Sequence, residues 1–396
     1  MRVFSFEPLG AFGGMGIYDR SFHTALARHG SLDVIWVTAD GGADRSMGDD
    51  TSALYDTWTP FKRVFGAGSL AGQGIRYARG LATLVNRAAR EARHRPVVVH
   101  QQFLAVPLLE LVAMRTAQQL GVPWVVTPHE ALPYSGSRRD ALVRRRIFAG
   151  ADALIALSEA NRAELAQLAR VRPAQIVLTP LGHLNDYRGE QAQLEAQTAR
   201  ARLGLSSDAP IVLFLGEMRP IKGLQHLLRA MCVVLRAVPE AHLVIAGRPY
   251  RFDAGGPENL IDALGIRHAV TARWGFVPES DLGLYLRAAD VVALPYLAAS
   301  QSAACLTAYA FGRPVVASSV GGLAEQVQDG VTGLLVPPAN ADALGEALIR
   351  LLRRREDAHV MGIAAHAWAA RERPWEPIAR ATARAYRDAW SMRHTE

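Results

Sequence analysis

Residues 211–230 read IVLFLGEMRPIKGLQHLLRA and indicate how the chain folds. Five consecutive apolar residues lead to Gly216, a polar loop follows, and apolar side chains then return at helical spacing over residues 224–234. A short, fully apolar strand that continues through a loop into a helix is typical of a parallel sheet with helices on both faces.

The same strand–helix unit recurs along the chain. Further β-branched runs lie at residues 2–6, 32–37, 96–100, 124–127, 153–157, 175–179, 242–247, 270–275, 291–295, 314–318 and 333–336. The pattern predicts an α/β protein with two doubly wound Rossmann-like domains, at 1–185 and 206–373, and a terminal helix at 374–391. Two such open sheets facing a central cleft place the polar residues that follow their strands around that cleft.

Composition excludes several classes of protein. The 396 residues are 50% hydrophobic and 20% charged, which excludes a disordered chain. The two cysteines, Cys232 and Cys305, are too few for a disulfide framework or a cysteine-based zinc site. Because no run approaches 18 apolar residues and the first residues lack a signal-peptide pattern, we expect a cytoplasmic protein without a membrane-spanning helix.

Positive charge is concentrated in the first half of the chain. Residues 1–185 carry 21 Lys and Arg against 15 Asp and Glu, or +6 of the net charge of +7. Eight basic residues fall within 62–95 and five within 138–146, each cluster with a single acid. Such clusters attract anionic membranes, acidic acceptors or nucleic acid, and they also occur as solvated helix faces.

A glycine-rich loop, GAFGGMG at residues 10–16, follows the first predicted strand. Gly13, Gly14 and Gly16 allow close backbone approach, and the helix start supplies N–H donors for an anion. The same loop is compatible with a merely structural turn. Its spacing does not match the dinucleotide fingerprint G-x-G-x-x-G, which disfavours a dinucleotide oxidoreductase.

Three further groups follow strand ends in the sequence. His129, in TPHE after the fourth predicted strand, is a candidate acid or base, or a histidine satisfied by the backbone. Arg219 and Lys222 precede a helix and suit a diphosphate; a surface ion pair of Arg219, for example with Glu217, is the alternative. Residues 295–304, PYLAASQSAA, offer polar donors at Ser300, Gln301 and Ser302, or only a helix N-cap.

Taken together, these motifs resemble glycosyltransferase family 4, whose members are retaining enzymes of the GT-B fold. The resemblance rests on FLGEMRPIKGLQHLLRA (214–230), LVIAG (243–247), WGFV (274–277), ADVVALPY (289–296), GRPVVAS (312–318) and GGLAEQVQDGVTGLLVP (321–337). GGMG, TPHE and PLGH in the first half agree with it. It covers nearly the whole chain and implies a donor-binding second domain, an acceptor-side first domain, and a terminal helix that crosses back onto the first domain.

The resemblance also implies roles for individual residues. Arg219 and Lys222 hold the diphosphate of a UDP- or GDP-linked sugar, helped by the backbone N–H groups of Ser302 and Ala303. Gly247, Arg248 and Val277 border the base, while Gly13, Gly14 and His129 reach the pyrophosphate and the sugar. No metal or other cofactor is implied, and the sequence contains no Asp-x-Asp motif.

One departure concerns two family glutamates that contact the donor, whose positions hold Ala299 and Thr307. The sequences RPIKG and SQSA instead resemble a sub-group of bacterial polysaccharide transferases, in which a small polar loop replaces the acidic one. The resemblance implies that Gln301 of this chain hydrogen-bonds the sugar hydroxyls in place of a carboxylate, without its charge. Glu325 remains a candidate cleft residue.

We therefore expect a retaining, metal-independent hexosyltransferase that acts on a hydroxyl acceptor. A lipid-linked saccharide of surface polysaccharide or glycolipid synthesis suits the basic first half, with peripheral contact at the inner face of the membrane and no nucleic-acid partner. Two alternatives stay open: a nucleotide-sugar-binding partner protein that has lost turnover, and a nucleotide-sugar epimerase on the same fold.

Overall fold

The structure is a computed structural model that describes residues 1–7, 14–39, 56–61, 70–130, 138–171, 176–185, 193–250 and 256–395. The chain divides into two compact units. Unit 1 comprises Met1–Gly182 and Trp375–Glu396, and unit 2 comprises His183–Pro374. Among the described residues, no helix is both long and apolar enough to cross a membrane.

Unit 1 is built on a seven-stranded parallel sheet of order β3-β2-β1-β4-β5-β6-β7. Its strands are β1 Arg2–Glu7, β2 Asp33–Ala39, β3 Asp56–Phe61, β4 Val97–Gln101, β5 Trp124–Val126, β6 Ala153–Ala156 and β7 Ile176–Leu178. Successive side chains along each strand point to opposite faces of the sheet, and a layer of helices covers each face.

One layer consists of the crossover helices α2–α5, and the other contains α1 and α14. These helices are α1 Gly14–Arg28, α2 Leu70–Ala92, α3 Pro107–Gln119, α4 Arg138–Gly150, α5 Glu159–Ala169 and α14 Trp375–His394. Phe4, Phe6 and Val99 pack under the α2–α5 layer. The other layer covers a more polar surface, where Ser5, His100 and Thr127 are buried.

The terminal helix α14 packs against α1 and against strands β4–β7 of unit 1. At its first residue, the indole of Trp375 lies where a side chain at Gly182 would need to be, so a glycine is required there. Tyr386, on the same helix, bonds through its hydroxyl to His100 Nδ1 at 2.8 Å. The C-terminal segment is therefore part of the interior of unit 1.

Unit 2 has a six-stranded parallel sheet of order β10-β9-β8-β11-β12-β13. Its strands are β8 Ile211–Leu215, β9 His242–Gly247, β10 Val270–Trp274, β11 Val291–Leu294, β12 Val315–Ser318 and β13 Gly333–Val336. Its helices are α6 Ala196–Leu203, α7 Leu224–Ala237, α8 Gly256–Ala263, α9 Leu282–Ala288, α10 Ala303–Ala310, α11 Gly321–Ala324, α12 Ala341–Arg353 and α13 Arg355–Glu372.

The fold class predicted from the sequence is confirmed: both units are doubly wound parallel α/β domains. Each of the twelve predicted strands has a counterpart, but the sequence analysis missed β3. That strand reads DTWTPF and lies at the sheet edge, where a proline costs no ladder hydrogen bond. Its polar residues and Pro60 hid it from a search for apolar runs.

Two boundaries differ from the prediction. Unit 2 begins at His183 rather than at 206, because α6 packs on α9 and Arg200 pairs with Asp290 at 2.9 Å beside β11. Helix α1 begins at Gly14, so Gly14 and Gly16 form its first turn rather than a preceding loop. Gly13 lies outside the described residues.

Candidate functional site

The polar residues predicted in the second half come together at the carboxyl end of the unit 2 sheet. Strand β8 lies between β9 and β11, and the strand order reverses at this point. The loop after β8 and the loop after β11 therefore leave the sheet in opposite directions, which is where open α/β sheets bind ligands.

Glycines end three adjacent strands and bring their loops close together. Gly216, Gly247 and Gly275 have φ values of 119°, 153° and 146°, which are strained for any residue with a side chain. A Cβ at Gly247 would overlap the carbonyl oxygen of Gly216. Beyond the strand ends, Met218 N–H donates to the Arg248 carbonyl at 2.9 Å, so the two loops run side by side.

This pairing places two arginines on one glutamate. Glu217 Oε2 accepts from Arg219 Nε at 2.8 Å, and its Oε1 accepts from Arg248 Nη2 at 3.1 Å. Partial burial works to raise the pKa of Glu217, but the hydrogen bonds and charges of both arginines outweigh it and hold that pKa below its usual value. The Arg219 guanidinium also lies 5.3 Å from the ring centre of Tyr250.

Lys222 is held from the other side of the switch point. Its Nζ donates to the Tyr296 hydroxyl at 3.0 Å and lies 4.4 Å from the centre of the same ring. Lys222 ends a short 3-10 turn that begins at Pro220 and is followed by Gly223, with φ 70°. A Cβ at Gly223 would overlap the Pro295 carbonyl oxygen, so the backbones of the loops after β8 and β11 are in direct contact at this point.

We call Glu217, Arg219, Lys222, Arg248 and Tyr296 the switch-point cluster. It contains three cations and one carboxylate, and it therefore has a net positive charge next to backbone amides. The arrangement suits a ligand with clustered negative charge, such as a diphosphate.

The loop at residues 295–304, which follows β11, differs in part from the prediction. Ser302 is the N-cap of α10: its hydroxyl accepts from Cys305 N–H at 3.2 Å. Its own N–H donates to Gln326 Oε1 at 2.8 Å. The amide of Ser302 is thus already engaged, whereas the amide of Ala303, in the first turn of α10, has no acceptor within the helix.

The remaining predicted donor residues have varied surroundings. Thr307 is buried and donates to the Ala303 carbonyl at 2.8 Å, which commits its hydroxyl to its own helix. Ser300, Gln301 and Val277 are half-buried, and Glu325 is exposed. Gly321 abuts the Ala299 carbonyl, which fixes the loop that holds Ser300 and Gln301.

His129 lies in unit 1, among aromatic rings. It stacks on Phe103 with ring centres 4.3 Å apart. The rings of His129 and Tyr18 meet edge to face, with their centres 5.8 Å apart. Burial lowers the pKa of His129 to about 3, so the ring is neutral at pH 7. A neutral imidazole serves as a hydrogen-bonding partner rather than as a cationic acid.

Two other buried histidines of unit 1 were not singled out by sequence reasoning as site residues. His23 stacks on Trp36, and His100 bonds to Thr127 Oγ1 at 2.7 Å. Burial lowers the pKa of each to about 3. We call His23, His100 and His129 the histidine triplet.

Asp19 of α1 is also fully buried, and neither of its carboxyl oxygens has a hydrogen-bond partner among the residues that the structure describes. Desolvation raises the pKa of Asp19 well above its ordinary value, against the charge of Arg20. No group of three or more His, Cys, Asp or Glu among the described residues is placed to hold a metal ion.

Two family models match the chain. "Glycosyl transferase 4-like domain" covers residues 13–182, and "Glycosyl transferases group 1" covers residues 209–354. Among curated proteins, the D-inositol 3-phosphate glycosyltransferase of Segniliparus rotundus is 31% identical over 96% of this chain and 85% of that protein. The protein of the same name from Kineococcus radiotolerans is 30% identical over 98% and 93%.

Solved structures agree on the architecture. Sucrose-phosphate synthase from Thermosynechococcus elongatus aligns with a TM-score of 0.76 at 23% identity, over 99% of this chain and 100% of that one. Anabaena HepE in complex with UDP-glucose aligns with a TM-score of 0.76 at 18% identity, over 97% and 98%. The fold and these neighbours define the two-domain GT-B class of glycosyltransferases. Within that class, the chain belongs to glycosyltransferase family 4.

Proposed function

We propose that this protein transfers a glycosyl group from a nucleoside diphosphate sugar to a hydroxyl acceptor, with retention of configuration and without a metal ion. The observation that carries the proposal is the position of Arg219 and Lys222, fixed by Glu217 and Tyr296 at the topological switch point of unit 2. Family membership supplies the reaction class, and the cluster supplies the donor site.

In this proposal the cations bind the donor diphosphate. Arg219 offers a planar fork and Lys222 a point charge, and the amide of Ala303 adds a donor at the start of α10. Negative charge develops on the departing diphosphate in the transition state, so groups held in place beforehand stabilise it most. Because the amide of Ser302 bonds to Gln326, we leave that amide out of the donor contacts.

The base and sugar would occupy the two sides of the cluster. Gly247, Arg248 and Val277 border the base, and a base read mainly through backbone atoms explains why glycines end these strands. HepE was solved with UDP-glucose, which makes a UDP-sugar the first donor to test, with a GDP-sugar as the alternative. Gln301 and Glu325 are proposed to contact the sugar, in place of the carboxylates missing at Ala299 and Thr307.

The proposed acceptor carries a hydroxyl group and a phosphate. The relatives are named for D-inositol 3-phosphate, and the lipid-linked saccharide expected from the sequence is also anionic. Either suits the excess positive charge of residues 1–185. In the proposal, the neutral ring of His129 bonds to the transferred sugar, and the first-turn amides of α1 at Gly14 and Gly16 contribute on the unit 1 side.

A turnover assay tests this function. The protein is incubated with UDP- or GDP-linked sugars and with D-inositol 3-phosphate or a lipid-linked acceptor, in the presence of EDTA. Nucleotide release and product mass are followed, and the anomeric configuration of the product is read by NMR. We expect acceptor-dependent transfer with retention, reduced at least about 100-fold in Lys222→Ala, because a charge-assisted contact to the leaving group is lost.

The control is Arg236→Ala, which removes an exposed cation from the last turn of the same helix that follows the Lys222 loop. Its rate should equal that of the wild type. Donor binding without transfer to any acceptor would instead indicate a binding partner that has lost turnover. Release of an epimerised sugar without acceptor would indicate an epimerase.

A further inference from the structure

The switch-point cluster holds a carboxylate at the place that is proposed to bind an anion. Glu217 follows Gly216 at the end of β8, and it accepts from Arg219 Nε at 2.8 Å and from Arg248 Nη2 at 3.1 Å. A diphosphate that binds Arg219 therefore shares that guanidinium with a negatively charged side chain. Because like charges repel, Glu217 lowers the affinity of the cluster for every anion.

The ion pairs of Glu217 differ from a buried structural ion pair of the same unit. Arg200 and Asp290 have side chains that are only 7% and 19% exposed, and Asp290 also accepts from the first backbone amide of β8 at 2.7 Å. The side chains of Glu217, Arg219 and Arg248 are 34%, 40% and 65% exposed. Water screens pairs that are this open, so they contribute little to stability, and a ligand can reach all three groups.

The charge of the cluster matches that of a donor better than that of a product. Arg219, Lys222 and Arg248 against Glu217 leave an excess of two positive charges. The two arginines hold the pKa of Glu217 below its usual value, so this carboxylate is ionised at neutral pH. A nucleoside diphosphate sugar carries two negative charges. The nucleoside diphosphate that remains after transfer carries nearly three, because a terminal phosphate has a second pKa of about 6.

We propose that Glu217 determines the selectivity of the cluster for the donor over the product, by repelling the negative charge that the diphosphate gains during transfer. In that reaction the bond between the anomeric carbon and the diphosphate oxygen breaks, and its electron pair stays on the oxygen. The acceptor oxygen bonds to the anomeric carbon, and its proton passes to solvent. This inference deepens the proposed transfer reaction and rests on it. Its consequence is faster release of the nucleoside diphosphate and weaker inhibition by it.

The ratio of two affinities separates the charge of Glu217 from its effect on geometry. Glu217 also fixes the direction of Arg219, so a substitution at Glu217 is expected to change the affinity for both ligands. Donor and product share the nucleoside and both phosphates, and a displaced Arg219 therefore weakens both to a similar degree. Only the additional charge of the product differs between them, so the ratio of their Kd values reports on charge.

Isothermal titration of the full chain with UDP and UDP-glucose, without metal and at about pH 7.5, tests the proposal. GDP and GDP-mannose are the second pair of probes. Glu217→Gln keeps the length of the side chain and one acceptor oxygen but removes the charge. We expect it to raise the Kd of the sugar conjugate relative to that of the diphosphate by about three- to thirtyfold. Glu217→Asp keeps the charge, and its ratio should stay within about twofold of the wild type.

Two further variants serve as controls. Glu240→Gln removes an exposed carboxylate that precedes β9, at the opposite edge of the sheet from Glu217, and its ratio should equal that of the wild type. Lys222→Ala removes a cation from the cluster and should shift the ratio in the opposite direction, against the diphosphate. In turnover assays, Glu217→Gln should be inhibited by lower concentrations of the diphosphate than the wild type, whereas Glu240→Gln should not.

Two outcomes overturn this inference and leave the transfer reaction intact. The first is an unchanged ratio in Glu217→Gln while both ligands bind. The second is an equal shift in Glu217→Gln and Glu217→Asp, because geometry rather than charge would then be responsible. If neither pair of probes binds the wild type, the donor site itself is contradicted, and this inference with it. Failure of the inference thus shows in the ratio, and failure of the proposed function shows in the binding of the wild type.

Discussion

The contact between Gly223 and Pro295 joins the two loops of the switch-point cluster, and it can be broken with one methyl group. Gly223 has φ 70°, and a Cβ there would lie well inside 3.0 Å of the Pro295 carbonyl oxygen. Gly204 is a matched control: its φ is 71°, and a Cβ would meet nothing within 4 Å. Both alanine variants carry the same backbone strain, but only Gly223→Ala forces the loops apart.

The expected magnitudes follow from these two terms. Left-handed backbone costs a residue with a side chain about 1–2 kcal/mol, so Gly204→Ala should lose about that much stability. Gly223→Ala should lose a further 1–3 kcal/mol or so, because a well-packed backbone contact must open. Since that opening moves Lys222 relative to Tyr296, the affinity of the Gly223→Ala variant for UDP or GDP should also fall, by about tenfold.

Urea unfolding of both variants gives the stability difference, and isothermal titration gives the nucleotide affinity. Hydrogen exchange read by mass spectrometry assigns the loss of stability to unit 2. If Gly223→Ala and Gly204→Ala lose equal stability and bind nucleotide equally well, then the two loops do not meet as described, and the reasoning about the cluster is wrong.

Three more predictions follow from the buried polar groups. Tyr296→Phe should weaken nucleotide binding about two- to fivefold in titration calorimetry while leaving the unfolding free energy nearly unchanged, because only the hydroxyl that accepts from Lys222 is lost. The histidine triplet has folded pKa values near 3, below the unfolded value of 6.5, so its contribution to stability is complete above pH 6.5 and is lost as the pH falls toward 3. That loss amounts to about 1.4 kcal/mol of unfolding free energy per histidine at about pH 5.5. In urea unfolding, His129→Phe should therefore lose less unfolding free energy than the wild type on acidification, by the amount that one histidine contributes. Asp19 acts in the opposite direction, because its raised pKa stabilises the fold at low pH and costs stability as the pH rises. Asp19→Asn should therefore have a higher unfolding free energy than the wild type between about pH 5 and 8, and this difference should disappear below about pH 4.

The sequence predicted the fold because its central strands are continuously apolar. Twelve such runs stand out, while β3 does not, since an edge strand with Pro60 and polar residues has no buried pattern to show. The sequence predicts a glycine-rich loop over residues 10–16, whereas Gly14 and Gly16 lie in the first turn of α1, where the cost of glycine in a helix interior does not apply.

Residues of the candidate site stand out in the sequence when they follow strand ends, whereas their hydrogen-bonding partners do not. Arg219 and Lys222 stand out by position, whereas Tyr296 and Gln326 meet their partners across 74 and 24 residues of sequence. The hydrogen bonds of the Ser302 amide to Gln326 and of the Thr307 hydroxyl to the Ala303 carbonyl depend on side-chain directions, which the spacing of residues in the sequence does not reveal. The neutral state of His129 depends on its burial, which comes about in the fold and which residues adjacent in sequence do not reveal.

The most direct test of the central claim is nucleotide binding to wild type and to Lys222→Ala. A thermal-shift panel of UDP, GDP, ADP and their sugar conjugates, without added metal, comes first, because a ligand at about 100 times its Kd adds roughly 2.7 kcal/mol of stability. The account predicts a selective shift with one nucleotide class, and a loss of about 1.5–3 kcal/mol of binding free energy in Lys222→Ala but none in Arg236→Ala. A panel with no shift for any nucleotide, or equal affinity in wild type and Lys222→Ala, would contradict the assignment of the switch-point cluster as the donor site.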